Sequence, residues 1–404
     1  MDTKLIGTII LSHRKKIGLT QAELAAKLNV SDKTISKWES GRGYPEITQL
    51  PALASLFGIS IDYLMTGQRT GIAIAGNMIV DTVNSITKYP EIGMLTNITD
   101  TSRAVGGCAL NTSIDLAKID PSVPISAIGK IGNDENGSYI MSVLQKNRVD
   151  TNMVSVSDKV RTAFCNVMSL PSGERTFFSY GGANNEFSPA DIDIADLKCK
   201  ILHIGYILLL DMFDADDSEY GTVMARFLHN VSQMGIKTSI DVVSSATADY
   251  GKKIIPVLKY TDYAIINEIE CCNIWGYNPR KENGKLDVDT LRKAMQNMLE
   301  AGVREKVIIH CKEAGFCLDK SGEFTAVGSL DVDRSLFKGS VGAGDAFCAA
   351  SLYGLYNGWG DEEILRFASA AAVCNLFEVN SIDGMRSKDE IMEILNKYPE
   401  DKNF

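Results

Sequence analysis

Short apolar runs alternate with longer stretches of helical periodicity from Gly71 onward. The runs occupy residues 72–75, 201–204, 238–240, 264–266 and 307–309. Strands that are buried on both faces of a sheet read as continuous apolar runs, and the helices between them cover those faces. The alternation therefore predicts an α/β domain with a doubly covered, mostly parallel sheet.

Polar or small residues suited to a ligand follow several of these runs. They are Asn77 with Asp81 nearby, Gly205, Asp241, and Asn267 with Glu270. Open α/β sheets bind ligands at the carboxyl ends of their strands. A ligand site is therefore expected at that edge.

Length and charge limit the function. The chain has 404 residues, of which 45% are hydrophobic, so it can bury more than one core. The 41 basic and 51 acidic residues give a formal net charge of −10, which excludes a surface that binds nucleic acid or membrane everywhere. The sequence shows no leader pattern and no apolar run of about 18 residues. A cytoplasmic protein without a membrane partner is expected.

The cysteines and histidines give no metal signature. The nine cysteines are scattered without a CxxC pair, and the four histidines have no metal-like spacing. Reduced thiols and no structural metal are expected, although folding can bring distant ligands together.

Residues 1–67 have a different pattern, made of short amphipathic segments with polar breaks. They hold eight basic and six acidic residues, so the positive excess of the chain lies here. Thr20 and Glu23 have the spacing of a capping box, and Ser31 is placed to cap a helix over residues 32–39. Two short helices joined by a tight turn predict a helix-turn-helix domain over 1–67, followed by a second domain over 71–404.

Three segments carry a likeness to a DNA-binding family: LTQAELA at 19–25, VSDKTISKWE at 30–39 and GRGYP at 41–45. Together they resemble the Xre/Cro-repressor-like domains. The resemblance implies a double-stranded DNA operator as partner, with the helix from Ser31 in the major groove. The residues expected to contact bases or phosphates are Gln21, Ser31, Lys33, Thr34, Ser36 and Lys37.

An alternative is that Gln21, Lys33 and Lys37 form only a solvated helix face, while Trp38 is expected in the core. One module of this size makes a small footprint on DNA, so specific binding requires two half-sites. A homodimer is therefore predicted.

Two other stretches, residues 81–103 and 159–180, read as hairpin-like ribbons. The second contains the turn Pro171-Ser172-Gly173-Glu174 between two strand-like segments. A ribbon near the ligand edge of an α/β sheet can act as a lid that excludes water. An ordinary surface hairpin is the alternative.

The strongest chemical signal is the small-residue turn Gly342-Ala343-Gly344-Asp345, which opens an apolar helix. Free N–H groups at such a start can converge on an anion, and Asp345 in the first turn can take a proton from a hydroxyl. Glycines also serve tight helix packing, which is the structural alternative. The sequence has no GxxxxGK[ST] loop, so a Walker-type phosphate site is excluded.

Five motifs in order resemble the ribokinase-like (PfkB) sugar kinases. They are GGCALN at 106–111, IGKIGNDENG at 128–137, GAN at 182–184, NEIE at 267–270 and GAGDAF at 342–347, and the likeness covers about residues 71–390. The resemblance implies a ribokinase-like α/β fold with a small β-lid. It also implies ATP-dependent phosphorylation of a hydroxyl of a small sugar or nucleoside.

The resemblance assigns roles to matching residues. Asp345 would be the catalytic base, with the N–H groups of Gly342, Ala343, Gly344 and Asp345 in the anion hole. Asp81, Gly106, Gly107, Asn111 and Asn184 would hold the acceptor. Asn267 and Glu270 would organise Mg²⁺, Glu270 indirectly through water, and Gly315 and Asn375 would lie near the nucleotide.

The chain departs from the family pattern at three points. The stretch 310–315 keeps only its last glycine, where a TxGxxG-like nucleotide contact is usual. Gly339-Ser340 stands where many members have Asp-Thr, which puts a monovalent-cation site in doubt. Cys108 stands where ribokinases often carry Lys, so ribose is not assured; fructose, ribose, a deoxy-sugar acid and a nucleoside all remain open. A second reading is a transcription regulator in which the kinase fold serves mainly as a sensor of sugar or nucleotide.

Overall fold

The computed structural model describes residues 2–172, 174–244 and 249–401. The chain divides into two compact units. The first unit holds residues 1–71 and 193–200, and the second holds residues 72–192 and 201–404. No helix in the described part of the chain is long and apolar enough to cross a membrane.

The first unit is built from short helices. Those in its described part are α1 (Thr3–Lys16), α2 (Gln21–Leu28), α3 (Asp32–Glu39), α4 (Leu50–Phe57) and α5 (Ile61–Thr66). The Thr20 hydroxyl accepts from the N–H of Glu23, whose side chain reaches back to the Thr20 N–H, so the predicted capping box is present. Ser31 caps α3 as expected. Ile10 and Ile35 are fully buried, and Trp38 lies with them in the core.

The first unit also includes a second stretch of chain. Residues 193–200 come from far along the sequence, yet they cluster with residues 1–71. The Arg69 guanidinium donates to the carbonyl of Leu197 at 2.6 Å, and the N–H of Lys200 donates to the carbonyl of Gly71 at 2.9 Å. No sequence pattern indicated this piece.

The second unit contains a large mixed sheet. The strands of the unit's described part are β1 (Ile72–Gly76), β2 (Ile79–Ile86), β3 (Ile98–Gly106), β4 (Ile125–Gly132), β5 (Asp150–Ser157), β6 (Ala163–Ser169), β7 (Arg175–Tyr180), β8 (Ile201–Ile207), β9 (Asp216–Asp217), β10 (Gly221–Thr222), β11 (Lys237–Val242), β12 (Tyr263–Asn267), β13 (Lys306–His310), β14 (Ala314–Asp319) and β15 (Phe324–Gly328). The large sheet has the order β15-β14-β13-β12-β11-β8-β1-β4-β5. Strands β13 to β5 in that order run parallel, whereas β14 and β15 form antiparallel pairs.

The five apolar runs of the sequence are β1, β8, β11, β12 and β13, so the predicted sheet is confirmed. The accompanying helices are α6 (Cys108–Ile119), α7 (Glu135–Lys146), α8 (Asp211–Asp214), α9 (Val223–Gln233), α10 (Tyr250–Leu258), α11 (Glu268–Asn273), α12 (Val288–Ala301), α13 (Ala343–Asn357), α14 (Asp361–Leu376) and α15 (Lys388–Lys397). Helices α6, α13 and α14 are rich in small buried residues, which allow close packing.

The two ribbon-like stretches come together in a separate four-stranded sheet of order β3-β2-β6-β7. Each stretch forms an antiparallel pair, and β2 joins β6 in parallel. Gly173 of the predicted turn lies outside the described residues. Large apolar side chains of this sheet are exposed, namely Ile98 on β3 and Phe177 and Phe178 on β7.

Candidate active site

The start of helix α13 places Asp345. Gly342 precedes the helix with a φ of 83°, and a Cβ there would lie 2.6 Å from the Cβ of Ser381, so only glycine fits. The N–H groups of Gly344 and Asp345 have no acceptor among the described residues. Since the first N–H groups of a helix lack intrahelical partners, this start is suited to receive an anion.

The Asp345 carboxylate is held at both oxygens. Asn111 Nδ2 donates to Oδ2 at 2.9 Å, and the Tyr206 hydroxyl donates to Oδ1 at 2.6 Å. Asp345 is only 4% exposed, and burial raises its pKa, while the bonds from Tyr206 and Asn111 oppose that rise. The arrangement gives a desolvated carboxylate that can accept a proton.

Asn111 is fixed from its other side. It lies in the first turn of α6, and its Oδ1 accepts from the Ser381 hydroxyl at 2.8 Å. The amide orientation is therefore determined by its partners, with nitrogen towards Asp345. The expectation that Asn111 belongs to the site is consistent with this position, but its direct partner is the predicted base.

Asp81 and Gly106 lie side by side on the paired strands β2 and β3. A Cβ on Gly106 would come 2.3 Å from Asp81 Oδ2, so glycine leaves room for the carboxylate. Burial raises the pKa of Asp81 to about 6. Gly107 caps the start of α6 with a φ of 92°. Asp81, Gly106 and Gly107 therefore lie close together at the junction of β3 and α6.

Asn184 has a structural partner. Its Oδ1 accepts from the N–H of Met78 at 3.0 Å, and its Nδ2 donates to the carbonyl of Met78 at 3.2 Å. The side chain is 4% exposed, so it pins the segment between β1 and β2. Both ends of the amide are occupied by backbone.

Asn267 and Glu270 form a capping box at the start of α11. Glu270 also accepts from the Ser244 hydroxyl at 2.9 Å, and burial raises the pKa of Glu270 to about 7. Burial first, then the charges of Glu270 and Asp345, raise the pKa of Asp241 well above its usual range. Two carboxyl groups held together out of water favour a cation between them, and their oxygens are the donors that Mg²⁺ prefers. The residues therefore fit a magnesium site.

Folding brings together one group of possible metal ligands among the described residues: Cys108, His203 and Asp241. The sequence did not predict this group. His203 Nδ1 lies 2.9 Å from the Ser239 hydroxyl, and burial lowers the pKa of His203 to about 3. Burial raises the pKa of Cys108 well above its usual range, so all three side chains are suited to neutral forms in a dry core.

The two remaining nucleotide candidates lie inside the fold. Gly315 is buried in β14, beside Phe347 and Leu365. Asn375 is fully buried, and its Nδ2 donates to the carbonyl of Ser381. A side chain without exposed surface cannot touch a nucleotide in this arrangement, so the position of Asn375 does not support that role.

The predicted DNA-contacting residues lie on or beside α2 and α3 of the first unit. Ser31, Lys33 and Lys37 are exposed, whereas Thr34 and Ser36 are half-buried. Gln21 Nε2 donates to Glu39 at 2.7 Å, and Glu39 is in turn paired with Arg14. Gln21 therefore has a role inside the unit.

Sequence reasoning missed Tyr206 and Ser381 as site residues. Tyr206 follows Gly205 at the end of a strand, where a ligand was expected, and that position was the only available signal. Asp241 was noted as a strand end but was not assigned a role. Nothing in the sequence pointed to Ser381.

Comparisons with known proteins agree with this geometry. The pfkB family carbohydrate kinase model matches residues 72–388, and a helix-turn-helix model matches residues 10–64. A 5-dehydro-2-deoxygluconokinase of Shouchella clausii is 24% identical over 312 residues, which cover 73% of this chain and 87% of the relative.

Solved structures share the fold of the second unit. Arabidopsis thaliana ribokinase complexed with ribose and ATP has a TM-score of 0.67 at 21% identity, covering 81% of this chain and 99% of that chain. An E. coli structure in complex with ATP and Mg²⁺ has a TM-score of 0.64 at 20% identity, with the same coverage. The family match spans most of the chain, and the ribokinase-like fold agrees with it. The chain therefore belongs to the pfkB family of carbohydrate kinases, and it carries a helix-turn-helix domain ahead of the kinase fold.

Proposed function

We propose that this kinase transfers the γ-phosphoryl group of ATP to a hydroxyl of a small sugar or sugar acid, with Asp345 as the base. The observation that carries the proposal is the position of Asp345, a buried carboxylate in the first turn of α13, where the N–H groups of Gly344 and Asp345 have no acceptor within the described part of the chain. A base and an anion-binding helix start are thus within one turn of each other. Phosphoryl transfer needs mainly such positioning and electrostatic stabilisation.

The chemistry follows from these groups. As the acceptor oxygen forms its bond to phosphorus, its proton passes to a carboxylate oxygen of Asp345 and the bond to the leaving ADP breaks. The N–H groups of Gly344 and Asp345 stabilise the negative charge on the transferred phosphoryl group. Asp81 accepts hydroxyl groups of the acceptor, and Gly106 lets the substrate approach the backbone.

Mg²⁺ would neutralise charge on the nucleotide phosphates. Glu270 and Asn267 would hold it, Glu270 through water, and Asp241 adds a carboxyl group in the same cluster. In the absence of the Asp-Thr pair before the glycine turn, we expect no dependence on a monovalent cation.

The acceptor can be narrowed by a substrate panel. The panel contains 5-dehydro-2-deoxygluconate, fructose, ribose and nucleosides, each with ATP and Mg²⁺. The sugar acid comes first because a 5-dehydro-2-deoxygluconokinase is among the relatives. Wild type is measured beside Asp345→Ala, and turnover on one acceptor that disappears in the variant is expected. Full turnover in Asp345→Ala would disprove the assignment of the base.

The first unit supports a second role, which is binding of a DNA operator and regulation of transcription. The exposed face of α3, with Ser31, Lys33 and Lys37, is the surface that would meet DNA. Specific binding would use a homodimer on two half-sites. If bound acceptor or ATP changes the free energy of DNA binding by about 1–3 kcal/mol, the two binding sites are coupled.

The alternative function is a sensor of sugar or nucleotide without kinase activity. Such a sensor would regulate transcription through the helix-turn-helix domain. The operator is first identified among genomic fragments that the full-length protein selects. The affinity of the protein for this operator is then measured with and without saturating acceptor and ATP. Acceptor binding without turnover would support the sensor. Unchanged DNA affinity in the presence of ligand would count against coupling.

A further inference from the structure

Tyr206 is the residue of strand β8 that contacts the proposed base. It follows Gly205, which lies opposite Gly76 of β1 in the middle of the large sheet. Its ring is partly buried against the core of the second unit, and its hydroxyl donates to Asp345 Oδ1 at 2.6 Å. The tyrosine therefore reaches across from a central strand to the start of α13.

The Tyr206 hydroxyl gives the Asp345 carboxylate a side-chain hydrogen-bond donor in place of a backbone N–H. A carboxylate has about four acceptor positions, and Asn111 and Tyr206 take one on each oxygen. The remaining positions stay available to an acceptor hydroxyl. Two donors on opposite oxygens also fix the plane of the carboxylate, because rotation would break both bonds at once.

We propose that Tyr206 is a positioning residue, whose hydroxyl orients the Asp345 carboxylate towards the acceptor and keeps it in the charged form. The inference rests on the proposed role of Asp345 as the base. Burial disfavours the charged carboxylate, and hydrogen bonds to it favour it, so the loss of one donor makes Asp345 a carboxyl group that protonates at higher pH. Tyr206 itself stays a phenol, because burial, then the charge of Asp345, raises its pKa well above 10.

Other titratable groups face Asp345 from the elements packed around it. Those that contribute to its surroundings are Asp115 and Cys108 on α6, Asp241 on β11, Cys348 on α13 and His310 on β13. Burial raises the pKa of the two aspartates and the two thiols, and it lowers the pKa of His310 to about 4. Burial therefore disfavours the charged form of each of these groups, whereas Asn111 and Tyr206 donate hydrogen bonds to the Asp345 carboxylate.

The test is the pH profile of kcat for Tyr206→Phe at saturating ATP, Mg²⁺ and the acceptor found in the panel, because kcat reports the groups that titrate in the substrate complex. A hydrogen bond to a charged group is strong enough that its loss should move the acid limb upward by about one to two pH units. We also expect kcat at pH 7 to fall by about tenfold or more, with the KM for ATP unchanged.

Tyr353→Phe is the matched control. Tyr353 lies near the other end of α13, and its hydroxyl donates to Asp120 Oδ2 at 2.9 Å, so this variant removes the same kind of bond from the same helix. It should keep the wild-type profile. Thermal unfolding of both variants reports whether the fold is retained.

The outcomes separate the two claims. An acid limb that stays in place in Tyr206→Phe overturns the inference, whether or not the rate falls, because a purely structural role would not move the limb. If Asp345→Asn retains full turnover, the proposed base is wrong and Tyr206 has no base to position. If the acid limb shifts in Tyr206→Phe and Asp345→Asn is inactive, both the role of Asp345 as the base and the role of Tyr206 are supported.

Discussion

Asn111 Nδ2 lies 2.9 Å from Asp345 Oδ2, although 234 positions separate the two residues in the chain. The bond links the first turn of α6 to the first turn of α13, and so joins the segment expected to hold the acceptor to the segment expected to hold the phosphate. Asn111→Asp should therefore place a second carboxylate against the base. Like charges at this distance raise the pKa of the pair, so the acid limb of kcat at saturating substrates should move upward by at least about one unit.

The same substitution at the far end of α13 is the control for that prediction. Asn357 donates to the carbonyl of Tyr353 at 2.8 Å and is exposed. Asn357→Asp should leave the profile unchanged. An unaltered profile in Asn111→Asp would mean that the contact has no influence on the base.

Asp81 should give the acceptor KM its own dependence on pH. Burial raises the pKa of Asp81 to about 6, so below pH 6 the side chain is protonated and loses acceptor capacity for substrate hydroxyls. The KM for the acceptor should rise as the pH falls through 6, and Asp81→Asn should show a high KM that no longer varies there. Steady-state kinetics between pH 5 and 8 measure this, with exposed Asp100→Asn on the neighbouring strand as control.

Glu270→Gln should weaken the response to Mg²⁺. The substitution keeps an oxygen that can accept from the N–H of Asn267, so the cap of α11 survives, but the negative charge is removed. Loss of such an outer partner commonly costs about 10–100-fold in metal affinity. The measurement is the Mg²⁺ concentration at half-maximal rate.

Glu390→Gln provides the comparison, because Glu390 forms a capping box with Ser387 at the start of α15. That variant should respond to Mg²⁺ as the wild type does. Equal Mg²⁺ requirements in Glu270→Gln and wild type would remove Glu270 from the proposed metal site.

The titration of Asp115 should lower the free energy of unfolding as the pH rises. It is fully buried on α6, and neither carboxyl oxygen has a hydrogen-bond partner among the described residues. Burial, then the charge of Asp345, raises its pKa well above the unfolded value of about 4. The folded state therefore retains a proton that the unfolded state releases, so stability is highest below about pH 4 and falls as the pH rises towards the folded pKa.

Asp115→Asn removes this titration at nearly constant volume. We expect the variant to be more stable than wild type at pH 8 by about 1–3 kcal/mol, with a smaller gain at pH 5. Denaturant unfolding at the two pH values measures the difference. The exposed Asp289→Asn serves as control, and a gain that did not depend on pH would contradict the explanation.

Lys33 and Lys37 should contribute to DNA binding through phosphate contacts. Both are exposed on α3. Each alanine variant should weaken binding to all sequences alike and reduce the salt dependence of log K by about one. Lys285→Ala, an exposed lysine in the second unit, should bind DNA as wild type does. A salt dependence unchanged in both α3 variants would remove this face from the interface.

The features of the fold and of the site that could be predicted from the sequence are those encoded by short local patterns. The capping box of Thr20 and Glu23, the turn before Asp345 and the end of β12 at Asn267 each lie within a few residues, so spacing alone indicates their geometry. The strands of the large sheet could be predicted for the same reason, because a strand that is buried on both faces is a continuous apolar run in the sequence.

Contacts between distant segments could not be predicted. Tyr206 meets Asp345 across 139 positions and Asn184 meets Met78 across 106, and both pairings depend on strand order and register that periodicity does not encode. The helix start at α2 predicts a phosphate contact for Gln21, whereas the bond from Gln21 to Glu39 depends on how α2 packs against α3. Asn375 carried no local sign of its complete burial.

The first unit consists of residues 1–71 and 193–200, with Arg69 bound to Leu197 and Gly71 bound to Lys200. A recombination event that brought only the first 71 residues in front of another kinase would leave Arg69 and Gly71 without these partners. The helix-turn-helix part is therefore not a freely exchangeable module at the level of the gene. Its evolution is tied to eight residues inside the kinase sequence, and we expect those eight to change together with the residues of the first unit that they contact.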